Sequence, residues 1–386
     1  MKTFRKILFW SHLVAGLAAG LAIGVMCFTG TLLAFEKELV AWAERDARHV
    51  EPPAAGTPRL TLDELQRRFR EARPEARPNN LVVQNDPRTA VAFSAGNSGS
   101  FHVNPYTGEV RAPASTTMAR LMQTMGQWHR YLGFGGAISR PRGKLVNGVG
   151  NLTLCLLAVT GLYLWMPRTW SWRGVKAVAF FNWKLAGRAR DFNWHNTIGL
   201  WSAPVLIVLS LTAIPLSFPW GGPLLSTLAG TPPAASAGAQ PAVAIPQPPP
   251  GAQPLPQDVL LAAVQKEWPQ WRTITLRLGG QAAPAAPAGP VIFTVREAGT
   301  WPRTANTMVT LNPFTGDILS RAAFADRPAA QRVRAWSNAL HTGEALGWGG
   351  QLAAGLACLG GCFLVYTGFA LAWRRFFSRR SAPPAA

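Results

Sequence analysis

Four long apolar runs constrain the fold of this chain more than any other feature. They cover residues 7–35, 145–166, 194–218 and 349–373, and they contain almost no charged side chains. Each has at least the roughly 20 residues that a helix needs to cross a hydrocarbon layer of about 30 Å. We therefore predict four transmembrane helices within the 386 residues.

Lysine and arginine cluster in the short segments beside these runs. They precede the first run, fill the loop between the second and third, and follow the fourth. Because basic residues are retained on the cytoplasmic side, we expect both termini in the cytoplasm and the two long segments, 40–143 and 219–346, on the outer side of the membrane. This topology accounts for most of the net charge of +20, and nothing indicates a nucleic-acid partner. The flanking residues are Lys2, Arg5 and Lys6; Arg168, Arg173, Lys176, Lys184, Arg188 and Arg190; and Arg374, Arg375, Arg379 and Arg380.

The two long segments share a motif. Residues 103–110 read Val-Asn-Pro-Tyr-Thr-Gly-Glu-Val, and residues 311–318 read Leu-Asn-Pro-Phe-Thr-Gly-Asp-Ile. Asparagine opens a turn, proline presets its first central φ and glycine accepts a left-handed conformation, so each motif predicts a β-hairpin. An amphipathic helix, at 61–73 or 256–268, precedes each hairpin. Short strands are predicted at 81–83, 90–94, 290–295 and 307–311.

The apolar runs repeat as well. A Gly-Leu pair and a threonine follow His12 and His195 at identical distances along the chain. His129 and His341 each precede a Leu-Gly-aromatic-Gly-Gly sequence at the entrance of the second or fourth run. The corresponding residues are Gly16, Leu17 and Thr29 with Gly199, Leu200 and Thr212, and near the exits Thr160 and Gly161 with Thr367 and Gly368. The chain therefore divides into two similar halves.

We predict the following organisation in chain order. Transmembrane helices occupy 1–39, 144–167, 194–218 and 348–373. Small α+β domains occupy 40–115 and 219–327, the second with a Pro/Ala-rich linker at 231–254 and an interruption at 280–290. An interfacial helix and loop at 116–143, a basic cytoplasmic loop at 168–193, an interfacial helix at 328–347 and a cytoplasmic tail at 374–386 complete the chain.

These motifs resemble the PepSY-associated transmembrane proteins, which include iron-regulated membrane proteins and ferric-siderophore reductases of the bacterial inner membrane. The Asn-Pro-Tyr/Phe-Thr-Gly-Glu/Asp turns resemble the PepSY signature, and the histidine-bearing helices resemble the associated membrane region. The resemblance implies a four-helix transmembrane bundle with two PepSY-like α+β domains. It also makes a ferric siderophore the leading substrate.

Four of the six histidines occupy corresponding places near the ends of the runs. His12 and His195 lie near the predicted cytoplasmic face, and His129 and His341 lie near the periplasmic face. An axis along the membrane normal would bring together the two histidines at each face. Ionisable side chains near a bilayer are costly and usually functional, although a carbonyl bond or an interfacial position would explain any single histidine. We predict two ligand pairs, His12 with His195 and His129 with His341.

Haem is the metal group that two facing imidazoles suit, because the porphyrin supplies the other four ligands of iron. Zinc would need further cysteine or carboxylate ligands, which are not at suitable spacing. A Cys-x-x-Cys-His attachment motif is missing from the sequence, so we predict two b-type haems. The four cysteines, Cys27, Cys155, Cys358 and Cys362, fall inside the runs and are interpreted as packing residues.

Other residues are secondary candidates at these sites. Small residues leave room for a macrocycle, or else permit close helix packing; they are Gly16, Ala19, Gly20, Gly24, Gly355, Gly360 and Gly361. Arg130, Arg332, Arg334, Arg5 and Arg190 are candidates for haem propionates. Met118, Met122 and Met125 share a helical face with His129, where gap filling is favoured over ligation.

Two haems would carry electrons across the membrane to a periplasmic ferric chelate. Because no Gly-x-Gly-x-x-Gly motif follows a strand, a cytoplasmic reductant or a membrane quinol would supply them. Two alternatives remain open. The chain could be a non-redox sensor or regulator of periplasmic proteases, or a transporter of iron or siderophore, for which Pro204 and Pro215 in the third run would break a helix.

Overall fold

A computed structural model describes residues 2–54, 56–94, 99–113, 115–166, 170–231, 246, 251–278 and 289–377. These form two compact units, one of Met1–Glu36, Arg120–Gly230 and Val333–Ala386, the other of Lys37–Ala119 and Thr231–Arg332. Most of the predicted linker (231–254) and interruption (280–290) lies outside the described residues. Arg168, Arg379, Arg380 and the side chain of Lys2 also lie outside them.

The helices and strands follow in chain order. The helices are α1 (Lys2–Leu33), α2 (Glu36–Ala43), α3 (Arg45–Arg48), α4 (Leu62–Ala72), α5 (Thr117–Tyr131), α6 (Ser139–Trp165), α7 (Trp172–Ala179), α8 (Gly187–Ser217), α9 (Gly221–Leu228), α10 (Gln257–Glu267), α11 (Ala329–His341) and α12 (Gly347–Phe376). The strands are β1 (Asn80–Gln84), β2 (Val91–Ser94), β3 (Ser100–Val103), β4 (Val110–Arg111), β5 (Trp271–Arg277), β6 (Val291–Glu297), β7 (Thr307–Leu311) and β8 (Ile318–Ala322).

The first unit is built on four long helices, α1, α6, α8 and α12. Each is long and apolar enough to cross a membrane, as the sequence predicts. They pack in a ring in which α1 and α8 each contact both α6 and α12. Leu21, Phe28, Leu156 and Leu356 are more than half exposed. Apolar exposure on this scale is typical of a surface that lipid covers.

The second unit contains one antiparallel sheet to which both long segments contribute. Its strand order is β4-β3-β2-β1-β5-β6-β7-β8, and Leu81 of β1 pairs with Leu276 of β5 at the centre. Helices α4 and α10 contribute Phe69 and Leu260 to a core that also contains Phe93 and Phe293. The two predicted α+β domains are therefore joined in one sheet with one core. Pairing between β1 and β5 removes two exposed strand edges, which explains why they do not remain separate.

The two shared motifs form the predicted hairpin turns, between β3 and β4 and between β7 and β8. The side-chain oxygens of Asn104 and Asn312 each accept a hydrogen bond of 2.9 Å from the backbone N–H two residues later. Gly108 and Gly316 have φ values of 71° and 76°, a region that favours glycine. The two turns thus have the same local structure.

Helices α4 and α10 cap each other. Asp258 Oδ2 accepts a hydrogen bond of 2.8 Å from the Leu62 N–H, and Asp63 Oδ2 accepts one of 3.0 Å from the Gln257 N–H. Burial raises the pKa of Asp258. Each aspartate satisfies a backbone N–H that has no partner within its own helix, so the reciprocal caps link the two segments.

Candidate functional site

The structure brings His12 and His195 to one cavity inside the four-helix bundle. The cavity has a volume of about 1130 Å³, and α1, α6, α8 and α12 all line it. His12 Nδ1 lies 2.9 Å from Thr160 Oγ1, and His195 Nδ1 lies 2.8 Å from Thr367 Oγ1. Each histidine is therefore held by a threonine on a neighbouring helix.

These two threonines determine which imidazole nitrogen carries the proton. The Thr160 hydroxyl donates to the Leu156 carbonyl oxygen at 2.7 Å, and the Thr367 hydroxyl donates to that of Phe363 at 2.7 Å. Because a hydroxyl has one proton, each oxygen accepts from the histidine Nδ1–H. The neutral imidazole then has its lone pair on Nε2. A tautomer fixed in this way is typical of metal-ligating histidines.

His129 and His341 form the second pair. Their ring centroids lie 6.2 Å apart, with the rings inclined at 49°. His129 Nδ1 lies 3.1 Å from the Met26 carbonyl oxygen and 3.0 Å from Thr29 Oγ1, and His341 Nδ1 lies 2.9 Å from the Leu209 carbonyl oxygen. A carbonyl oxygen can only accept, so Nδ1 carries the proton in both rings. Nε2 again has the lone pair.

The electrostatic surroundings keep this second pair neutral. Burial and, to a smaller extent, the neighbouring His341 lower the pKa of His129 to about 4. Burial also lowers the pKa of His341. Neutral imidazole is the form that binds metal, so neither histidine has to lose a proton at pH 7 before it can act as a ligand.

The 6.2 Å separation suits two imidazoles on opposite sides of one metal ion. Two metal–nitrogen bonds of about 2 Å, and ~1 Å from each nitrogen to its ring centre, would separate the centres by about 6 Å. Among the described residues, no group of three or more His, Cys, Asp or Glu side chains could hold a metal ion. A zinc site made of protein ligands therefore does not fit. Haem would need at most two ligands from the protein, because the porphyrin supplies the other four, and His129 and His341 fit that group.

The His12–His195 cavity also has a volume and a lining suited to a macrocycle. Its volume lies above the roughly 300–1,000 Å³ of ordinary ligand pockets. A Cβ atom at Gly161 would lie 3.5 Å from His12 Cε1, and one at Gly368 would lie 3.7 Å from His195 Cε1. These glycines thus leave room beside both rings. The lining is largely apolar, with four basic side chains, Arg5, Lys6, Arg188 and Arg375, that could bind carboxylates.

The secondary candidates have different positions. Arg5 lines the cavity and donates to the Leu164 and Met166 carbonyl oxygens, whereas Arg190 pairs with buried Asp191 at 2.9 Å. Arg374 contacts the same aspartate at 3.1 Å. Arg190 is therefore part of an ion-pair cluster at a helix end. The Arg130, Arg332 and Arg334 side chains are exposed, and Met122 is fully buried.

The glycines predicted to make room for a macrocycle also divide into two groups. Gly16 and Gly20 line the cavity. In contrast, Gly360 lies so close to Ser202 that a Cβ atom would collide with its side chain, which is the close helix packing considered as the alternative.

The functional residues that sequence reasoning missed are the two threonines that bond to the histidines of the cavity, Thr160 and Thr367. Thr160-Gly161 and Thr367-Gly368 stand out as corresponding dipeptides, but nothing in their spacing indicates a partner. The signal that could have found them is that each dipeptide occupies a helix adjacent to a histidine of the cavity, with its glycine beside the ring. Each dipeptide therefore supplies an acceptor for Nδ1 and space beside the imidazole.

Comparison with known proteins agrees with the sequence motifs. The family model of the PepSY-associated TM region matches residues 9–375, nearly the whole chain. A comparison with curated proteins finds no match. The family match includes the four histidines and both hairpin motifs, and it overlaps all four candidate membrane helices. The chain therefore belongs to the family defined by the PepSY-associated transmembrane region.

Proposed function

We propose that this protein is a bacterial inner-membrane oxidoreductase that reduces a periplasmic ferric chelate through two b-type haems. The observation that carries the proposal is the common arrangement of four histidines. In each, Nδ1 is held by a helix carbonyl or a threonine, and Nε2 carries the lone pair. One such arrangement occurs in many packed cores, but two pairs at corresponding positions are characteristic of a ligand set.

The spacing of the pairs along α1 supports electron transfer across the membrane. His12 lies near one end of α1, and Met26 and Thr29, which hold His129, lie near the other. At 1.5 Å per residue the two levels are about 20–25 Å apart along the helix. This is close to the thickness of a hydrocarbon layer of about 30 Å, so the pairs would serve opposite faces.

The positions of the basic side chains favour one orientation in the membrane, and therefore a direction for electron transfer. Basic side chains near the His12 end, including Lys6, Arg188 and Arg375, favour a cytoplasmic location for that end. The His129–His341 end and the sheet unit would then be periplasmic. Haem iron supplies reversible one-electron chemistry when it is bound at these histidines. A cytoplasmic reductant or a quinol would provide electrons, and each ferric ion in a siderophore would take one electron and become ferrous.

The two alternatives explain less of the geometry. A protease-regulating sensor would account for the PepSY-like sheet, but it leaves the two His pairs unexplained. A transporter would be favoured by a broken helix, yet α8 continues from Gly187 to Ser217 through Pro204 and Pro215. The PepSY-like sheet and the continuous α8 therefore do not favour either alternative over a reductase.

A vesicle assay tests the proposal. Purified protein is placed in liposomes that enclose a ferric hydroxamate siderophore and a ferrous-iron indicator, with dithionite outside as the reductant. We expect ferrous iron to form inside, and we expect little to form with His12→Ala protein or in protein-free vesicles. Equal formation in the His12→Ala vesicles would contradict the proposal. Movement of the gallium(III) complex, which is not reduced, would instead indicate a transporter.

A further inference from the structure

The interface between α6 and α8 contains buried polar side chains beside the His129–His341 pair. Asn147 and Asn151 of α6 are 9% and 4% exposed, and Ser210 of α8 is 1% exposed. Asn151 Nδ2 donates to the Ser210 carbonyl oxygen at 2.9 Å. Ser210 directly follows Leu209, whose carbonyl oxygen accepts the hydrogen bond from His341. The polar group therefore lies next to the helix turn that holds one of the histidines.

Two oxygen atoms in this interface are without an evident role. Asn147 Oδ1 and Ser210 Oγ are buried, and neither has a hydrogen-bond partner among the described residues. In a membrane-spanning helix a hydroxyl usually bonds back to its own backbone, as Thr212 does to the Val208 carbonyl at 2.7 Å. Ser210 does not do so. An unsatisfied polar atom inside an apolar layer is strongly unfavourable, so both oxygens require a partner.

Three corresponding positions in the other half of the bundle, between α1 and α12, are less polar. The same chain offsets that relate His12 to His195 and Thr160 to Thr367 identify the matching residues. They are Cys27 for Ser210, Cys358 for Asn151 and Ala354 for Asn147. Because both interfaces pack equivalent helices, helix packing alone does not require the asparagines and the serine. At these three positions the polarity is specific to one side of the His129–His341 pair; the buried Gln351 of α12, on the other side, donates to the Ala34 carbonyl oxygen at 3.0 Å.

We propose that Asn147, Asn151 and Ser210 form a binding site for internal water on the α6–α8 side of this histidine pair. Water bonded to Asn147 Oδ1 and Ser210 Oγ satisfies both oxygens, as buried water does in other proteins. Asn147 and Asn151 lie four residues apart and share one face of α6, so both side chains reach the same side of the interface. The α1–α12 side stays dry. This water site does not depend on the proposed function.

The direction in which the melting temperature changes distinguishes an interface that contains water from one that does not. Asn147→Leu keeps the side-chain shape and removes its polar atoms. If water is bound, the substitution removes one of its partners, and we expect the full-length protein in detergent to melt roughly 2–4 °C lower. If the interface is dry, the substitution removes an unsatisfied group and the melting temperature rises. We expect Ser210→Ala to lower the melting temperature as well.

A double substitution tests whether the two oxygens share the water. The effects of Asn147→Leu and Ser210→Ala should be less than additive, because either change alone disturbs the same water. Cys27→Ser is the matched control, since it places a hydroxyl at the corresponding position of the interface that we propose to be dry. It should lower the melting temperature without coupling to Asn147→Leu.

Radiolytic labelling in ¹⁸O water gives a readout on the unsubstituted protein. Bound water should place ¹⁸O on residues 206–214 although Ser210 is almost fully buried. Higher melting temperatures for Asn147→Leu and Ser210→Ala, with additive effects and no label on this segment, would overturn the proposal.

Discussion

Nδ1 of His12 lies 2.9 Å from Oγ1 of Thr160. The hydroxyl donates to its own helix, so it is the histidine that donates across the bond. The proton on Nδ1 leaves the lone pair on Nε2. One threonine on α6 therefore controls both the tautomer and the orientation of a histidine on α1, and Thr367 controls His195 in the same way.

Replacement of Thr160 by valine is predicted to weaken the His12–His195 site. Thr160→Val keeps the side-chain shape but leaves the buried Nδ1–H without an acceptor, at a cost of about 1–3 kcal/mol. Loss of such a partner typically lowers metal-group affinity by about 10–100-fold. We expect faster haem loss to apomyoglobin, measured by absorption, and retention of haem in Thr160→Ser.

Thr153→Val is the matched control, because Thr153 lies on the same helix and donates only to the Val149 carbonyl oxygen. Equal haem loss in Thr160→Ser and Thr160→Val would rule out the role assigned to the hydroxyl.

The reciprocal caps predict a linked stability effect in the sheet unit. Asp63→Ala and Asp258→Ala each remove a helix cap, and each should lower the free energy of unfolding by about 1 kcal/mol. Asp→Asn at either position should restore most of it, because the amide oxygen also accepts from a backbone N–H. Chemical denaturation of the full-length protein in detergent measures the change. If alanine at Glu71, an exposed residue of α4, has the same effect, the caps contribute nothing specific.

Acid is predicted to destabilise the sheet unit through His102. This residue is 2% exposed, and its Nε2 lies 3.6 Å from Glu44 Oε2. Burial lowers its pKa from 6.5, Arg48 lowers it further, and Glu44 only partly opposes them. The unfolded chain therefore takes up a proton near pH 6.5 that the folded chain binds less readily. Stability from this residue is present above that pH and is lost as the pH falls below it.

The measurement is the fall in melting temperature between pH 7.5 and 5.5. His102→Gln should reduce that fall, whereas His49→Gln should not, because His49 is an exposed residue that pairs with Glu51 at 2.9 Å. An unchanged pH dependence in His102→Gln would contradict the assignment.

The features predicted from the sequence are those that depend on local patterns. The length of the apolar runs is enough to predict the four long helices, because crossing a hydrocarbon layer requires a minimum number of residues. The hairpins follow from Asn104 and Asn312, since the order Asn-Pro-x-Thr-Gly specifies a turn. The grouping of His12 with His195 and of His129 with His341 follows from their corresponding positions.

The features that the sequence does not predict depend on contacts between distant segments. Leu81 and Leu276 pair across the centre of the sheet, but strand patterns alone do not identify which edges meet. The bonds of Thr160 and Thr367 to histidines depend on how each helix is rotated about its own axis. The sequence does not determine this rotation, because small residues occur on more than one side of the helices. The polarity difference between Ser210 and Cys27 is visible in the sequence, but its meaning requires the burial of both residues.

The haem content of the purified protein and of its histidine variants shows whether the four histidines bind two haems. We predict two haems per chain with the absorption spectrum of bis-histidine ligation. His12→Ala and His195→Ala should each lose one haem and keep the same remaining one, while His129→Ala and His341→Ala should keep the other. Absence of haem after expression in haem-replete cells, or loss of both haems from every variant, would contradict the account.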